Sequence, residues 1–171
     1  MADNNKLLSI VHKKFPALKE LDVKVTQGKG KGFAETFISG FDGADADTVE
    51  FRDLSNNLTD EQKAGILAGE IISHILPQRN ETFQGLVNDF GLSTTDRQLD
   101  IGKKFFNRLI DEGGISEEQA NRGFPAFFDH VFLPNQVRGL VTPEFNEEAA
   151  GTLTTNNLQA GRPILKFLKG K

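Results

Sequence analysis

Leu58-Thr59-Asp60-Glu61-Gln62-Lys63-Ala64-Gly65-Ile66-Leu67-Ala68-Gly69-Glu70-Ile71-Ile72-Ser73-His74-Ile75-Leu76-Pro77 is the stretch on which the fold turns. Thr59 opens a Thr-Asp-Glu-Gln capping box, in which the threonine hydroxyl and the glutamine side chain each satisfy a backbone N–H of the first turn. Asp60 and Glu61 then sit where the helix dipole favours negative charge. Ile66, Leu67, Ile71, Ile75 and Leu76 recur at helical spacing, which predicts a core helix stopped by Pro77. Before this stretch the chain alternates as strands do; after it the patterning is helical.

Upstream, Leu7, Leu8, Ile10, Val11 and Leu18 with intervening lysines predict a short amphipathic helix to about Lys14, interrupted by Pro16. Val23-Lys24-Val25, residues 33–38 and Thr48-Val49-Glu50-Phe51-Arg52 read as strands, the last following a turn from Gly40 to Asp47. Gly28-Lys29-Gly30-Lys31-Gly32 supplies the positive φ angles of a hairpin turn between the first two. Together they predict one antiparallel sheet over about residues 20–55.

Downstream, a helix is expected from Asn80 to Phe90, closed by Gly91, and another from near Thr95 to Gly113-Gly114. Ser116-Glu117-Glu118-Gln119 is a second capping box, opening a segment broken by Gly123 and Pro125. A short helix through Phe127, Phe128, Val131 and Phe132 is expected to end at Pro134, completing a helical portion over about 58–135. From about 140 to 171 the chain reads as looser. Val141-Thr142-Pro143 punctuates it, residues 151–157 are rich in Thr and Asn, and Gly161 and Pro163 interrupt a helical pattern over 158–168. The expected architecture is α+β in a single domain spanning 1–171, with a small antiparallel amino-terminal sheet followed by a mainly helical body.

Composition bounds the chemistry. With 171 residues, 37% hydrophobic and 26% charged, the chain is long enough and apolar enough to bury a core. Fifteen phenylalanines carry its whole aromatic content, and the absence of Cys removes thiol nucleophiles, thiolate metal sites and disulfides. That absence fits a reducing cytoplasm, and a particle assembled there equally well. A formal charge of −4 argues against a dedicated nucleic-acid binder. The run Leu7 to Val11 is too short for a signal-peptide core, and no stretch approaches the roughly 20 apolar residues of a membrane helix. A soluble protein is expected.

Three histidines exist: His12, His74 and His130. Glu70 and His74, four apart, share a helix face, and with His130 or Asp129 they could form a three-ligand zinc site of a metal-dependent hydrolase. The alternative is a surface pair, or a histidine completing a hydrogen bond at a helix end. Gly28 to Gly32 lacks the spacing of a P-loop; it is either a hairpin tip kept soluble by Lys29 and Lys31, or a nest of amides for one anion. The cluster Phe124, Phe127, Phe128 and Phe132 is either core packing or a self-association or docking surface. No Gly-x-Ser-x-Gly elbow is present. No catalytic, cofactor-binding or metal residue is assigned.

Four segments in order carry a resemblance. They are Gly32-Phe33-Ala34-Glu35; Val49-Glu50-Phe51-Arg52-Asp53 leading into Leu58-Thr59; Gly69-Glu70-Ile71-Ile72-Ser73-His74; and Arg138-Gly139-Leu140-Val141-Thr142-Pro143-Glu144. They resemble a domain of tailed-bacteriophage and prophage virion-associated proteins, including large polyvalent ones. In that family the Gly-acid-apolar-apolar-x-His run closes a helix, and the Arg-Gly-apolar segment precedes a polar final helix. The chain departs from the pattern at Gly40 to Asp47, which replaces a Pro-rich loop, and in missing the aromatic residues the family pattern expects near the carboxyl end.

The resemblance transfers no catalytic residue. It implies a non-enzymatic structural or interaction protein of a phage particle, contacting other virion proteins in multiple copies. Such a protein would be found in the virion, and in the host cytoplasm during assembly. A metal-dependent hydrolase using Glu70, His74 and His130, and a small host-directed regulator, are the alternatives.

Overall fold

The Thr59 capping box forms as its motif requires: the Gln62 amide donates to Thr59 Oγ1 at 3.2 Å, and the Thr59 amide donates to Gln62 Oε1 at 3.0 Å. A computed structural model describes residues 4–92, 96–145 and 155–170. In it the capped helix α2 (Asp60–Glu70) does not stop at Pro77. It passes through a π-helical turn (Ile71–Ile75) into α3 (Leu76–Arg79). The Leu76 amide reaches back five residues to the Ile71 carbonyl. A proline in a regular α-helix lacks a donor and clashes with the carbonyl four residues back, here that of Ser73. The wider π turn opens the ladder at that point, so the helix continues.

The same correction applies at Pro134. Helix α7 (Gly123–Phe127) runs through a second π turn (Phe128–Phe132) into α8 (Leu133–Val141), and the Leu133 amide donates to the Phe128 carbonyl. The Gly69 to His74 run therefore ends no helix.

Three strands form one sheet: β1 (Lys24–Gln27), β2 (Ala34–Phe37) and β3 (Thr48–Phe51), in the order β1-β3-β2. β2 pairs antiparallel with β3, but β1 pairs parallel with it, in register Lys24↔Thr48 to Gln27↔Phe51. The sheet is mixed, and the expected hairpin is instead a crossover. The reason is burial: β3 buries both Val49 and Phe51, so it takes the centre, and β1 and β2 flank it. The glycine-rich loop then bridges two strand spacings, about 10 Å, across the end of β3. Backbone and side chains crowd there. A Cβ on Gly28 would lie 2.4 Å from the Glu50 carboxyl, and one on Gly30, at φ +141°, would lie 2.6 Å from the Arg52 guanidinium. Arg52 pairs with Glu50 and Glu35 beneath this loop.

Helix α1 (Asn4–Lys14) lies against α2, burying Leu7 and Val11 among Ala64, Leu67 and Ala68. A short 3-10 turn follows at Pro16–Glu20. Helix α4 (Glu81–Leu92) extends past the expected stop at Gly91. Helix α5 is described from Asp96 to Glu112; its expected start near Thr95 lies outside the described residues. The second capping box opens α6 (Glu117–Asn121), and Gly123, at φ +85°, separates α6 from α7.

Phe106, Phe127 and Phe132 bury themselves in a second, smaller core, with the Phe106 and Phe127 rings 4.9 Å apart. Phe124 and Phe128 are half-buried around it. The carboxyl-terminal stretch, expected to be looser, supplies α9 (Thr155–Leu168), whose Ile164 and Leu168 are fully buried. Residues 146–154 lie outside the described residues. The result is an α+β chain, a small sheet followed by a helical body.

Asp47 and Arg79 tie the sheet to the helices. Arg79 Nε and Nη2 donate to the two Asp47 carboxylate oxygens at 2.8 and 2.7 Å, and the Ser39 amide donates to the same carboxylate at 2.9 Å. The Arg79 hydrogen bonds hold the Asp47 carboxyl below its usual range. This clamp needs the helix to run beyond Pro77.

Two substitutions test the packing. Ile71, 1% exposed, is expected to cost about 2–5 kcal/mol when replaced by Ala. At Gly161 a Cβ would meet Leu140 Cδ1 at 2.5 Å, so Gly161→Val is expected to cost about 1–3 kcal/mol through overpacking of α8 on α9. Urea midpoints at unchanged slope check both; an unchanged midpoint for either variant contradicts the packing described.

Candidate functional site

Glu70 is the one charged residue in the apolar stretch 64–76, and it is only 8% exposed. A buried carboxylate needs partners. Thr36 Oγ1, from β2, donates to Glu70 Oε2 at 2.6 Å, and Arg138 Nη2, from α8, donates to Oε1 at 3.2 Å. Gly69 makes room for the arginine, since a Cβ there would lie 2.9 Å from Arg138 Cγ. His74, on the next turn, places Nε2 at 3.6 Å from Glu70 Oε2 and 3.4 Å from Arg138 Nη2. Nε2 thus lies between a guanidinium, which only donates, and a carboxylate, which only accepts.

Burial pushes the His74 pKa below 6.5. Glu70 opposes this by attraction, while Arg138 adds to it by repulsion. The imidazole is therefore neutral at pH 7.

His74 also lines a cleft of about 370 Å³. Asp129 and His130, from the second π turn, line the same cleft, as do Gln78, Gln84 and Asn88. Its apolar part comes from Ile72, Val87, Leu133 and Val137. Thus the fold brings two of the three histidines, both on π turns, to one place.

Glu70 does not line that cleft; its oxygens are held by Thr36 and Arg138. Among the described residues no three His, Asp or Glu side chains come together to hold a metal ion. Lys29 and Lys31 are exposed on the glycine-rich loop, whose Gly28 and Gly30 pack on Glu50 and Arg52. Thr36 and Arg138 were not singled out for chemistry in the sequence. The one available signal was Glu70 itself: a lone acid among apolar neighbours demands a cation, and Arg138 is the one cation between Pro134 and Thr142.

No protein-family model, curated protein or solved structure matches this chain. No described helix is long and apolar enough to cross a membrane.

Removing Arg138 leaves Glu70 buried without its cation. Arg138→Met is expected to destabilise by about 2–3 kcal/mol, discounted from the fully buried case because the arginine is partly exposed. Adding Glu70→Gln is expected to recover part of that loss, and strictly additive effects in the double-mutant cycle would contradict a direct pair.

His74 makes stability depend on pH. Its proton is held less tightly in the folded chain than in the unfolded one, so the unfolded state binds more protons between the depressed value and 6.5. The stability contributed by neutral His74 is complete above 6.5 and declines as pH falls below it. His12 and Asp47 are shifted in the same direction, so the wild type is compared with His74→Asn. The variant is expected to lose part of the decline just below pH 6.5 in thermal melts, and an identical profile contradicts the assignment.

Proposed function

We propose that this protein is a non-enzymatic structural or interaction protein of a tailed-bacteriophage particle, present in multiple copies and contacting other virion proteins. One observation carries this reading. Glu70 and Arg138, from two of the segments that resemble the phage domain, bind each other, and Thr36, next to a third, completes the lock. Glu35 and Arg52, from the other two, likewise pair with each other. The resembling residues thus serve architecture, as suits a module whose work is to present a surface.

The hydrolase alternative asks Glu70 to face a metal or a substrate, and its oxygens are already engaged by Thr36 and Arg138. Apolar side chains do remain uncovered outside the cores, among them Leu92 at 86% and Phe41 at 76% exposure. Repetition in an assembly would let such modest contacts act together through avidity.

Proteomics of purified particles, with native mass spectrometry of the isolated chain, tests the proposal. The expected result is copurification at fixed stoichiometry. A strict monomer absent from every particle would instead favour the host-directed regulator, and zinc-dependent turnover lost in His74→Ala would favour the hydrolase.

A further inference from the structure

We propose that the cleft between the two π-helical turns binds a neutral, hydroxyl-rich ligand of one or two sugar rings. Nothing in the particle reading requires this, and the two fail by separate experiments. The prolines account for the presence of each π turn; they do not explain why both turns open on one cleft and each brings a histidine to it. π turns recur at functional sites because they displace side chains from the regular helical ladder.

The chemistry of the walls selects the ligand. The side chains of Gln78, Asp129 and His130 make no hydrogen bond or ion pair with any described residue, which leaves their donors and acceptors to solvent or a ligand. His74 adds a second imidazole to the same walls. Gln84 donates to Asn88 Oδ1 at 2.9 Å, which leaves the Gln84 oxygen and the Asn88 amide hydrogens to a ligand.

Such alternating donors and acceptors match vicinal hydroxyls, each of which both gives and accepts. The carboxylate of Asp129 takes two such hydroxyls at once. Val87 and Leu133, backed by the fully buried Ile72 and Val137, offer a narrow apolar wall to the C–H face of a ring. Among the described residues no lysine or arginine lines the cleft, so a phosphate would meet Asp129 without a counter-charge from them. No phenylalanine among the described residues lines it either, so a nucleobase would find only the two imidazoles to stack on. The volume of about 370 Å³ lies at the small end of ligand sites and suits one or two rings.

The three histidines make the test direct, since His12, on α1, does not line the cleft. Side-chain nitrogen–proton spectra of the full chain are recorded while D-glucose, D-galactose and N-acetyl-D-glucosamine are each added to about 50 mM, a range that detects millimolar binding. At least one sugar is expected to shift His74 and His130 saturably and leave His12 in place. Asp129→Ala is expected to weaken that sugar by about tenfold or more. Asp129 and Gln78 are both exposed, so Gln78→Ala gives a second reading should the first variant misfold. The proposal is overturned if none of the three sugars shifts the pair saturably, if inorganic phosphate or adenine does so instead, or if folded Asp129→Ala and Gln78→Ala both bind as the wild type does.

Discussion

The carboxylate of Glu70 is the point at which the sheet, the long interrupted helix and α8 meet. Its desolvation has to be offset by Thr36 and Arg138, and each comes from a different element. That requirement orients the elements: β2 must present its hydroxyl inward, and α8 must pass Gly69 closely enough for the arginine to cross the helix. His74 lies in the same field, but burial, ahead of the opposed effects of Glu70 and Arg138, is what lowers its proton affinity. Hydrophobic burial supplies most of the driving force for collapse, yet it is indifferent to direction. The ion pair is what distinguishes this arrangement from other ways of burying the same isoleucines.

The two π turns are a second constraint with wide consequences. Each lets a helix continue through a proline, and each shifts the residues after it relative to a regular helix. In the first case the continuation carries Arg79 to Asp47, so a loop that would otherwise hang from the sheet is clamped to the helical body. In the second it carries Arg138 to Glu70. Both clamps therefore depend on helices that a proline was expected to end. The cleft between the π turns arises from the same geometry, since His74 and His130 sit within the widened turns.

The glycine-rich loop shows the difference between local preference and global placement. Its glycines permit a hairpin, and nothing within the five residues Gly28 to Gly32 forbids one. What prevents it is β3, whose Val49 and Phe51 are buried more deeply than the side chains of either neighbour and take the central position. Gly28 and Gly30 then serve a different end, allowing the backbone to cross over Glu50 and Arg52 at distances no side chain would tolerate.

Features set by neighbours in the chain were legible in the sequence. Both capping boxes, the three strand segments, the buried face of α2 and the α+β class follow from spacing and from local hydrogen-bond chemistry, which act within a few residues. Glu70 and His74 were legible as a pair sharing one face for the same reason. Strand order, the passage of helices through Pro77 and Pro134, and the choice of Arg138 and Thr36 as partners of Glu70 were decided by tertiary structure. Each depends on a contact between residues far apart in the chain, where the energy of burial or of a charge without water outweighs local preference. The meeting of His74 with His130 belongs to that second class, because 55 residues separate them and only the packing of α8 against the first π turn closes the distance.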